Sequence, residues 1–303
     1  MSEFTWFITG SSRGFGRALA EAALRRGDRV AATARTPERL AGLVAAYGDD
    51  RVATLPLDVT DPVAARAALS AARDRFGRID VLVNNAGYAN VAPIETGSPE
   101  DFRAQFETNF WGVYSVTTAA IPLLREQGGG LVIQFSSIGG RVGGSAGIGS
   151  YQAAKFAVDG FSRVLAAETA PFGVRVLVVE PSGFATDWAG SSMTVGDIPA
   201  GYESTVGAMG LLRSGRVMAG DPERAAEILV RVAHAAEQPS HLPLGRTAAT
   251  MAADYSRRQL AEAGAWREVS ISADAAEAYP VPLPGESAAE AYPVPLPGES
   301  AAE

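Results

Sequence analysis

The stretch that decides the fold is Thr9-Gly10-Ser11-Ser12-Arg13-Gly14-Phe15-Gly16. It follows a strand-like run at residues 6–9 and opens a helical pattern at residues 16–26. Glycine lets the chain turn tightly and approach a pyrophosphate, and the free N–H groups of a helix N-terminus favour an anion. A glycine-rich turn can also serve packing alone, so the strand–turn–helix context carries the prediction. The predicted contacts with a bound dinucleotide are Gly10, Ser12, Arg13, Gly14, Phe15 and Gly16.

Outward from this loop, β-rich runs alternate with helical runs rich in Ala, Arg and Leu. The strand candidates are residues 6–9, 29–34, 52–57, 81–84, 131–135 and 174–180, and the helix candidates are 16–26, 62–76, 99–127 and 152–170. Repeated β-α-β units imply a parallel sheet with a binding crevice at the carboxyl ends of its strands. The pattern predicts a single α/β domain over residues 1–274, a doubly wound Rossmann fold with a parallel sheet of about seven strands.

Two segments break this rhythm. Residues 187–219 are rich in Gly, Ser, Met and Ala, which suits either a mobile flap over a site or a surface excursion without a role. Residues 275–303 contain a 13-residue duplication, 276–288 repeated as 289–301. Its alternating prolines favour extended polyproline II, at about 3.1 Å per residue, so that each copy would span roughly 40 Å. We expect a flexible Pro-rich tail.

The composition of the 303-residue chain argues against several function classes. A net charge of −8 disfavours nucleic-acid and anionic-membrane partners. Cysteine is absent, and the two histidines, His234 and His241, stand far in sequence from any acidic cluster of metal-ligand spacing, so no metal is expected. No apolar run reaches the roughly 20 residues of a membrane span, and a strand near residue 4 leaves no room for a signal peptide. We expect a cytoplasmic protein.

The end of the second strand candidate bears on the choice of nucleotide. An acidic residue there would hold the ribose 2′-hydroxyl of NAD, but the strand ends in Thr33-Ala34-Arg35. Arg35 and Arg13 could instead flank a 2′-phosphate, which suits a guanidinium. In an arginine-rich chain each could also be an ordinary surface charge. The two together favour NADP(H).

Tyr151 and Lys155 lie four residues apart at the start of a helix candidate, which puts them on one helical face. A tyrosine has an ordinary pKa near 10, and a nearby ammonium stabilises its phenolate. Such a tyrosine can exchange a proton with a carbonyl oxygen. The spacing is common by chance, but Lys155 is the only lysine among 26 basic residues.

Taken together, these features resemble the short-chain dehydrogenase/reductase family over residues 3–270. The further motifs that carry the resemblance are Asp58-Val59, Asn84-Asn85-Ala86-Gly87, Asn109, Ser137 and Glu180-Pro181-Ser182-Gly183-Phe184-Ala185-Thr186. The resemblance implies a catalytic tetrad of Asn109, Ser137, Tyr151 and Lys155. It also implies cofactor contacts from Asp58, Val59, Asn85, Ala86, Gly87, Tyr151, Lys155, Pro181, Gly183, Phe184 and Thr186.

By this resemblance, each tetrad residue has a role. Tyr151 is the general acid/base, and Ser137 hydrogen-bonds the substrate oxygen. Lys155 binds the nicotinamide ribose and lowers the tyrosine pKa, while Asn109 supports a proton-relay water.

The chain departs from the family pattern at two points. Ser182 occupies the glycine position of the Pro-Gly segment, and 14 positions separate Ser137 from Tyr151, so the loop between them is expected to bulge. Ser136 is the alternative serine, but Ser137 precedes Ile138-Gly139-Gly140 as the family's catalytic serine usually does.

The main hypothesis is an NADPH-dependent carbonyl reductase or alcohol dehydrogenase acting on a small to medium, fairly apolar substrate. Phe184, Trp188 and Met193 could line its pocket or simply pack on the domain. The alternatives are a non-catalytic NADP(H)-binding sensor or scaffold and an epimerase or dehydratase with the same machinery. A homodimer or homotetramer is expected through helices near residues 99–127 and 152–170.

Overall fold

The protein is described from a computed structural model, which places residues 3–185, 193–207, 220–274 and 281–286. Its internal contacts divide the chain into two compact units, residues 1–249 and 250–303. The single domain expected over residues 1–274 therefore stays a prediction. Within the described residues, no helix is long and apolar enough to cross a membrane.

The first unit is built on a seven-stranded sheet whose strands are all parallel, in the order β3-β2-β1-β4-β6-β7-β9. These strands are β1 (Thr5–Ile8), β2 (Arg29–Ala34), β3 (Val52–Pro56), β4 (Val81–Asn84), β6 (Gly130–Phe135), β7 (Val174–Pro181) and β9 (His241–Leu244). The order reverses between β1 and β4, so the crevice predicted for a doubly wound sheet opens at their carboxyl ends. The predicted α/β fold with about seven parallel strands is confirmed.

The described helices lie between and after these strands. They are α1 (Gly14–Arg26), α2 (Ala41–Tyr47), α3 (Pro62–Phe76), α4 (Pro99–Phe106), α5 (Gly112–Glu126), α6 (Gly139–Val142), α7 (Gly149–Thr169), α8 (Pro222–Ala233), α9 (Arg246–Ala265) and α10 (Arg267–Ile271). A π-helical segment, Glu107–Trp111, joins α4 to α5. The boundary between the two units falls inside α9, and the second unit also contains α10 and a turn closed by Leu283 and Glu286.

Both faces of the central strands are buried in separate apolar clusters. In β1, Trp6 and Ile8 join a cluster with Leu19 of α1 and Leu229 of α8. Phe7 points the other way, into a cluster with α3 and α5. Burial of one such side chain contributes roughly 1.5–3 kcal/mol, so the alternation fixes the register of the strand between two helical layers.

Three strands have no counterpart among the predicted ones. β5 (Ala89–Val91) and β8 (Met193–Val195) form a separate two-stranded parallel sheet, which places part of the expected 187–219 flap beside β5. β9 contains Pro243, which weighs against a central strand in sequence. It lies at the end of the strand order, where proline is tolerated.

Candidate active site

A cleft of about 980 Å³ opens at the carboxyl ends of the central strands. The predicted site residues that line it are Gly10, Ser12, Arg13, Gly14, Phe15, Arg35, Asp58, Val59, Asn85, Ala86, Gly87, Asn109, Ser137, Tyr151, Lys155, Pro181 and Phe184. Gly16 and Gly183 are not among its lining residues. Thr186 and Trp188 lie outside the described residues.

The glycines of the first loop serve two different purposes. Gly10 and Gly14 adopt φ of +68° and +55°, a region that disfavours side chains, and both line the cleft. Gly16 is buried, and a side chain does not fit there because its Cβ would lie 2.4 Å from the carbonyl oxygen of Gly10. No side chain caps the start of helix α1, and its first two residues, Gly14 and Phe15, line the cleft. Gly16 thus shapes the loop that Gly10 and Gly14 expose.

Asn85 secures the glycine loop from the neighbouring strand end. Its Nδ2 donates to the carbonyl oxygens of Thr9 and Gly10 at 2.9 and 3.2 Å. In return, Thr9 Oγ1 accepts from the backbone N–H groups of Asn85 and Ala86 at 2.9 and 3.1 Å. The amide of Asn85 therefore positions the loop. The importance of Thr9 for this contact was missed in the sequence.

Asn109 lies in the π-helical segment and is fully buried. Its Nδ2 donates to the carbonyl oxygens of Gln105 and Tyr88, each at 2.9 Å, and its Oδ1 accepts from Tyr88 N–H at 3.3 Å. Single π turns inside α-helices often occur at functional sites. Gly87 packs against this side chain, since a Cβ there would lie 2.5 Å from Asn109 Oδ1. The segment fixes Asn109 at the floor of the cleft.

Ser137 hydrogen-bonds Tyr151, and the neighbouring Ser136 has a different partner. The Oγ of Ser137 accepts from Gly139 N–H at 3.1 Å, while Ser136 Oγ donates to the carbonyl oxygen of Lys155 at 3.1 Å. Burial raises the pKa of Tyr151 to about 12, and the hydrogen bond from Ser137 acts in the opposite direction. Tyr151 is therefore protonated at neutral pH.

Lys155 lies one helical turn beyond Tyr151. Its Nζ is 5.7 Å from the centroid of the Tyr151 ring and donates to the carbonyl oxygen of Phe135 at 2.7 Å. Burial lowers the pKa of Lys155 to about 8, because the charged form is poorly solvated there. The lowering of the tyrosine pKa that the resemblance assigns to Lys155 stays a prediction.

At the other end of the cleft, Arg13 and Arg35 are exposed lining residues. The charge of Arg35 lowers the pKa of Tyr88, although burial and the Asp101 carboxylate together raise it above its ordinary value. Asp58 is occupied locally, since its Oδ1 accepts from the N–H and Oγ1 of Thr60 at 3.0 and 2.8 Å. This end offers guanidinium groups to an anion.

The wall between the two ends contains side chains that the sequence analysis did not single out. They are Tyr88, Asn90, Asp101, Glu107, Thr108 and Thr194. Most flank the Asn-Asn-Ala-Gly motif or Asn109 in sequence, which was the available signal. Among the residues expected to form an apolar pocket, Phe184 lines the cleft and contacts Phe15 with ring centroids 4.9 Å apart. Met193 packs in the apolar cluster that contains Tyr151.

The fold brings His241 beside two carboxylates, although these acidic residues are distant from it in sequence. One ligand-type atom each of Asp159, Glu180 and His241 lie within 4.8 Å of one another. His241 Nε2 contacts Asp159 Oδ1 at 2.5 Å, and Arg141 Nε donates to both oxygens of Glu180. Each carboxylate thus has a cationic or hydrogen-bonding neighbour within the protein.

Comparison with known proteins places this site in a family context. A family model described as short chain dehydrogenase matches residues 5–194. Oxidoreductase BOA17 of Botryotinia fuckeliana (strain B05.10) is 47% identical over 269 residues, which cover 88% of this chain and 98% of the relative. A solved short-chain dehydrogenase from Streptomyces avermitilis is 38% identical with a TM-score of 0.84, covering 90% of this chain and 99% of that one.

A more distant solved structure carries a nucleotide. It is an alcohol dehydrogenase from the archaeon Thermococcus sibiricus, complexed with 5-hydroxy-NADP. It is 26% identical with a TM-score of 0.66, and the match covers 80% of this chain and 95% of that one.

Proposed function

This chain belongs to the short-chain dehydrogenase family and is an oxidoreductase, and from that premise we propose that it transfers hydride between NADP(H) and a carbonyl or secondary alcohol. The observation that carries the proposal is the placement of Tyr151. Its phenol is hydrogen-bonded by Ser137 and lies beside the ammonium of Lys155, in the same cleft as the glycine loop.

The residues of the cleft fit a dinucleotide. The uncapped N-terminus of α1 suits a pyrophosphate, and Gly10 and Gly14 keep side chains away from it. Gly87 also leaves the cleft free of a side chain, since a Cβ there would lie 2.5 Å from Asn109 Oδ1 and 3.6 Å from Lys155 Nζ. When bound, the nicotinamide would supply or accept the hydride. The donor groups at both ends of the cleft match the charged and hydroxyl groups of such a molecule.

The preference for NADP(H) rests on Arg13 and Arg35. Both are exposed and line the end of the cleft next to Asp58. One oxygen of the Asp58 carboxylate, Oδ1, already accepts two hydrogen bonds from Thr60 within its own turn. A guanidinium pairs well with a phosphate dianion.

The protein's part of the chemistry is proton transfer at the substrate oxygen. Tyr151 is in its protonated form at neutral pH because its pKa is about 12, and it can donate to an oxygen on which negative charge develops. Ser137 would hold that oxygen with its hydroxyl group. The Lys155 ammonium would stabilise the phenolate left behind, since an opposite charge nearby favours the ionised form. Asn109, fixed by its backbone contacts, would hold the water that returns the proton.

The apolar part of the cleft lining favours a fairly apolar substrate. Phe15, Phe135 and Phe184 line the same cleft as Tyr151. Asn90 and Thr194 are polar lining residues of that cleft. We therefore propose a small to medium, fairly apolar carbonyl substrate, in which any hydroxyl or amide group contacts Asn90 or Thr194.

A substrate panel tests the proposal. Ketones, aldehydes and β-keto esters of graded size are offered with NADPH or NADH, and loss of absorbance at 340 nm is followed. We expect turnover of one structural class, faster with NADPH, and no turnover by Tyr151→Phe although this variant still binds NADPH. Tight NADPH binding without turnover of any compound would contradict the proposal and favour a sensor.

We also propose that the chain forms a homodimer or homotetramer. Trp111, the last residue of the π-helical segment, and Tyr114 of α5 have 46% and 42% of their surfaces exposed, and their ring centroids lie 5.6 Å apart. Exposed aromatic residues of this kind are enriched at protein interfaces. Light scattering should give a multiple of the 31.4 kDa chain, and Trp111→Ser with Tyr114→Ser should lower that mass. A monomeric wild-type protein would contradict this proposal.

A further inference from the structure

The serine of the candidate site is followed in the chain by a short helix whose Arg141 forms an ion pair with a buried carboxylate. Glu180, near the carboxyl end of β7, has no exposed surface, and its two carboxylate oxygens accept from Arg141 Nε at 3.0 and 2.9 Å. Burial raises the pKa of Glu180, and Arg141 acts in the opposite direction. Within the described residues, Arg141 is the side chain that donates hydrogen bonds to this carboxylate. A buried charge that has a single donor depends strongly on it.

Arg141 belongs to α6, whose first residue also contacts the serine. Gly139 N–H donates to Ser137 Oγ at 3.1 Å. Ser137 Oγ is therefore held by Gly139 on one side while its hydroxyl group is hydrogen-bonded to Tyr151. The position of α6 thus sets where the Ser137 hydroxyl lies relative to Tyr151.

The short helix is held tightly on two sides. Ile138 N–H donates to the carbonyl oxygen of Pro181 at 3.0 Å, next in sequence to Glu180. On the other side, a Cβ on Gly140 would lie 2.5 Å from Ser136 Oγ and 2.8 Å from Lys155 Cβ. Glycine at this position lets α6 contact the backbone of α7, so a shift of α6 would move Ser137 relative to Tyr151.

We propose that Glu180 and Arg141 are positioning residues of the reaction, acting through α6 to hold the Ser137 hydroxyl group in place beside Tyr151. The pair touches neither reacting atom. It fixes the first turn of α6 against the end of β7, and Gly139 passes that constraint to Ser137. This inference deepens the proposed function and rests on it.

The charged groups around Glu180 come from three elements. Arg141 of α6 and His241 of β9 favour its ionised form, whereas Asp159 of α7 disfavours it. Asp159 has its own partners, His241 Nε2 at 2.5 Å and Arg163 Nε at 2.9 Å. Loss of the Arg141 contact is therefore not replaced by these neighbours, since His241 is already bonded to Asp159.

The test compares Glu180→Gln, Arg141→Gln and the double variant with the wild type. We expect kcat to fall about tenfold to a hundredfold in each, because a misplacement of about 1 Å has effects of this size. The Kd for NADPH should stay within about twofold, and the double variant should be no worse than either single variant. Glu126→Gln, which removes an exposed ion pair with Arg73, is the matched control and should leave kcat unchanged.

The second readout is the ionisation of Tyr151 itself. The protein is labelled with [13Cζ]tyrosine and titrated by NMR with NADP+ bound, and Tyr151→Phe identifies the signal. Glu180→Gln should shift the apparent pKa of Tyr151 upward from that of the wild type, because the hydrogen bond that Ser137 donates to the phenolate is weakened. A role confined to fold stability would change the melting temperature without moving this pKa.

The outcomes of these experiments distinguish failure of the positioning role from failure of the proposed function. An unchanged kcat and an unchanged Tyr151 pKa in Glu180→Gln would overturn the positioning role. If Glu180→Gln does not fold, Arg141→Lys replaces it, since it keeps a cation beside Glu180 but removes the Nε donor. The same direction of change is then expected. A wild-type protein that turns over no substrate would sink the proposed function, while the NMR titration would still test the contact.

Discussion

The ammonium of Lys155 lies 5.7 Å from the ring centroid of Tyr151 and donates to the carbonyl oxygen of Phe135 at 2.7 Å. Both side chains are buried, and burial moves their pKa values apart, Tyr151 to about 12 and Lys155 to about 8. At neutral pH the pair therefore consists of a neutral phenol and an ammonium. This is the protonation state from which a carbonyl oxygen can be protonated.

The first prediction concerns Lys155→Arg, which conserves charge. A guanidinium is planar and larger than an ammonium, and it cannot keep the single contact with Phe135 in the same buried space. We expect kcat to fall by at least about a hundredfold, within the range found for loss of a group that supports acid–base catalysis. Steady-state kinetics with NADPH and a substrate from the panel provides the measurement.

The control for this substitution is Arg103→Lys, an exposed residue of α4. It makes the reverse change of side chain away from the tetrad and should leave kcat as it is. Near-normal turnover by Lys155→Arg would mean that any cation suffices at this position.

The second prediction is a pH dependence of stability from Lys155. Burial lowers its pKa from 10.5 to about 8, so between these values the unfolded chain binds more protons than the folded chain. The free energy of unfolding therefore rises with pH in this window, by roughly 3 kcal/mol at most from this group. Tyr151 acts in the opposite sense above pH 10, because its pKa is raised to about 12.

Urea denaturation at several values from pH 7.5 to 10 measures this contribution. The difference in unfolding free energy between wild type and Lys155→Met should change with pH, with the wild type gaining as the pH rises. Tyr151→Phe should run parallel to the wild type over the same range. A constant difference between wild type and Lys155→Met would show that Lys155 titrates near its ordinary pKa.

The sheet was largely predictable from the sequence because its strands are buried on both faces and read as apolar runs. The glycine loop was predictable as well, since a tight turn into a helix needs glycine at defined points. β9 was missed because Pro243 and His241 hide its strand character. β5 and β8 were missed because strands of three residues carry too little periodicity to be recognised.

The tetrad residues could be chosen from motif spacing, but their partners could not. The role of Asn85 as a clamp on Thr9 and Gly10 depends on two strand ends meeting across the sheet. The pair Arg141–Glu180 joins residues 39 positions apart. Contacts of this kind arise from the strand order, which local patterns do not encode.

The third prediction concerns nucleotide choice through Arg35. Its guanidinium is exposed at the end of the cleft. The end of β2 has no carboxylate of the kind that would hold the ribose 2′-hydroxyl of NAD. Arg35→Ala should weaken NADPH binding about tenfold or more, as expected for loss of a charge-assisted contact with a phosphate, and should leave NADH binding nearly unchanged. Fluorescence titration with both nucleotides measures the ratio.

The neighbouring exposed Arg39 gives a matched control, because Arg39→Ala removes a charge from the same region without touching the cleft lining. If Arg35→Ala left the NADPH/NADH ratio of the wild type intact, the 2′-phosphate would have to be recognised elsewhere or not at all.

The last prediction compares a glycine that the cofactor loop requires, Gly16, with a glycine that its helix does not require, Gly160. At Gly16 a Cβ would lie 2.4 Å from the carbonyl oxygen of Gly10 and 2.6 Å from Asn85 Nδ2, and backbone cannot move aside easily. Gly16→Ala should therefore displace the glycine loop, lowering both the melting temperature and the affinity for NADPH. Gly160 lies in the interior of α7, exposed, with nothing within 4 Å of its Cβ position. Gly160→Ala should instead stabilise the protein by about 0.5–1 kcal/mol, since alanine favours a helix over glycine.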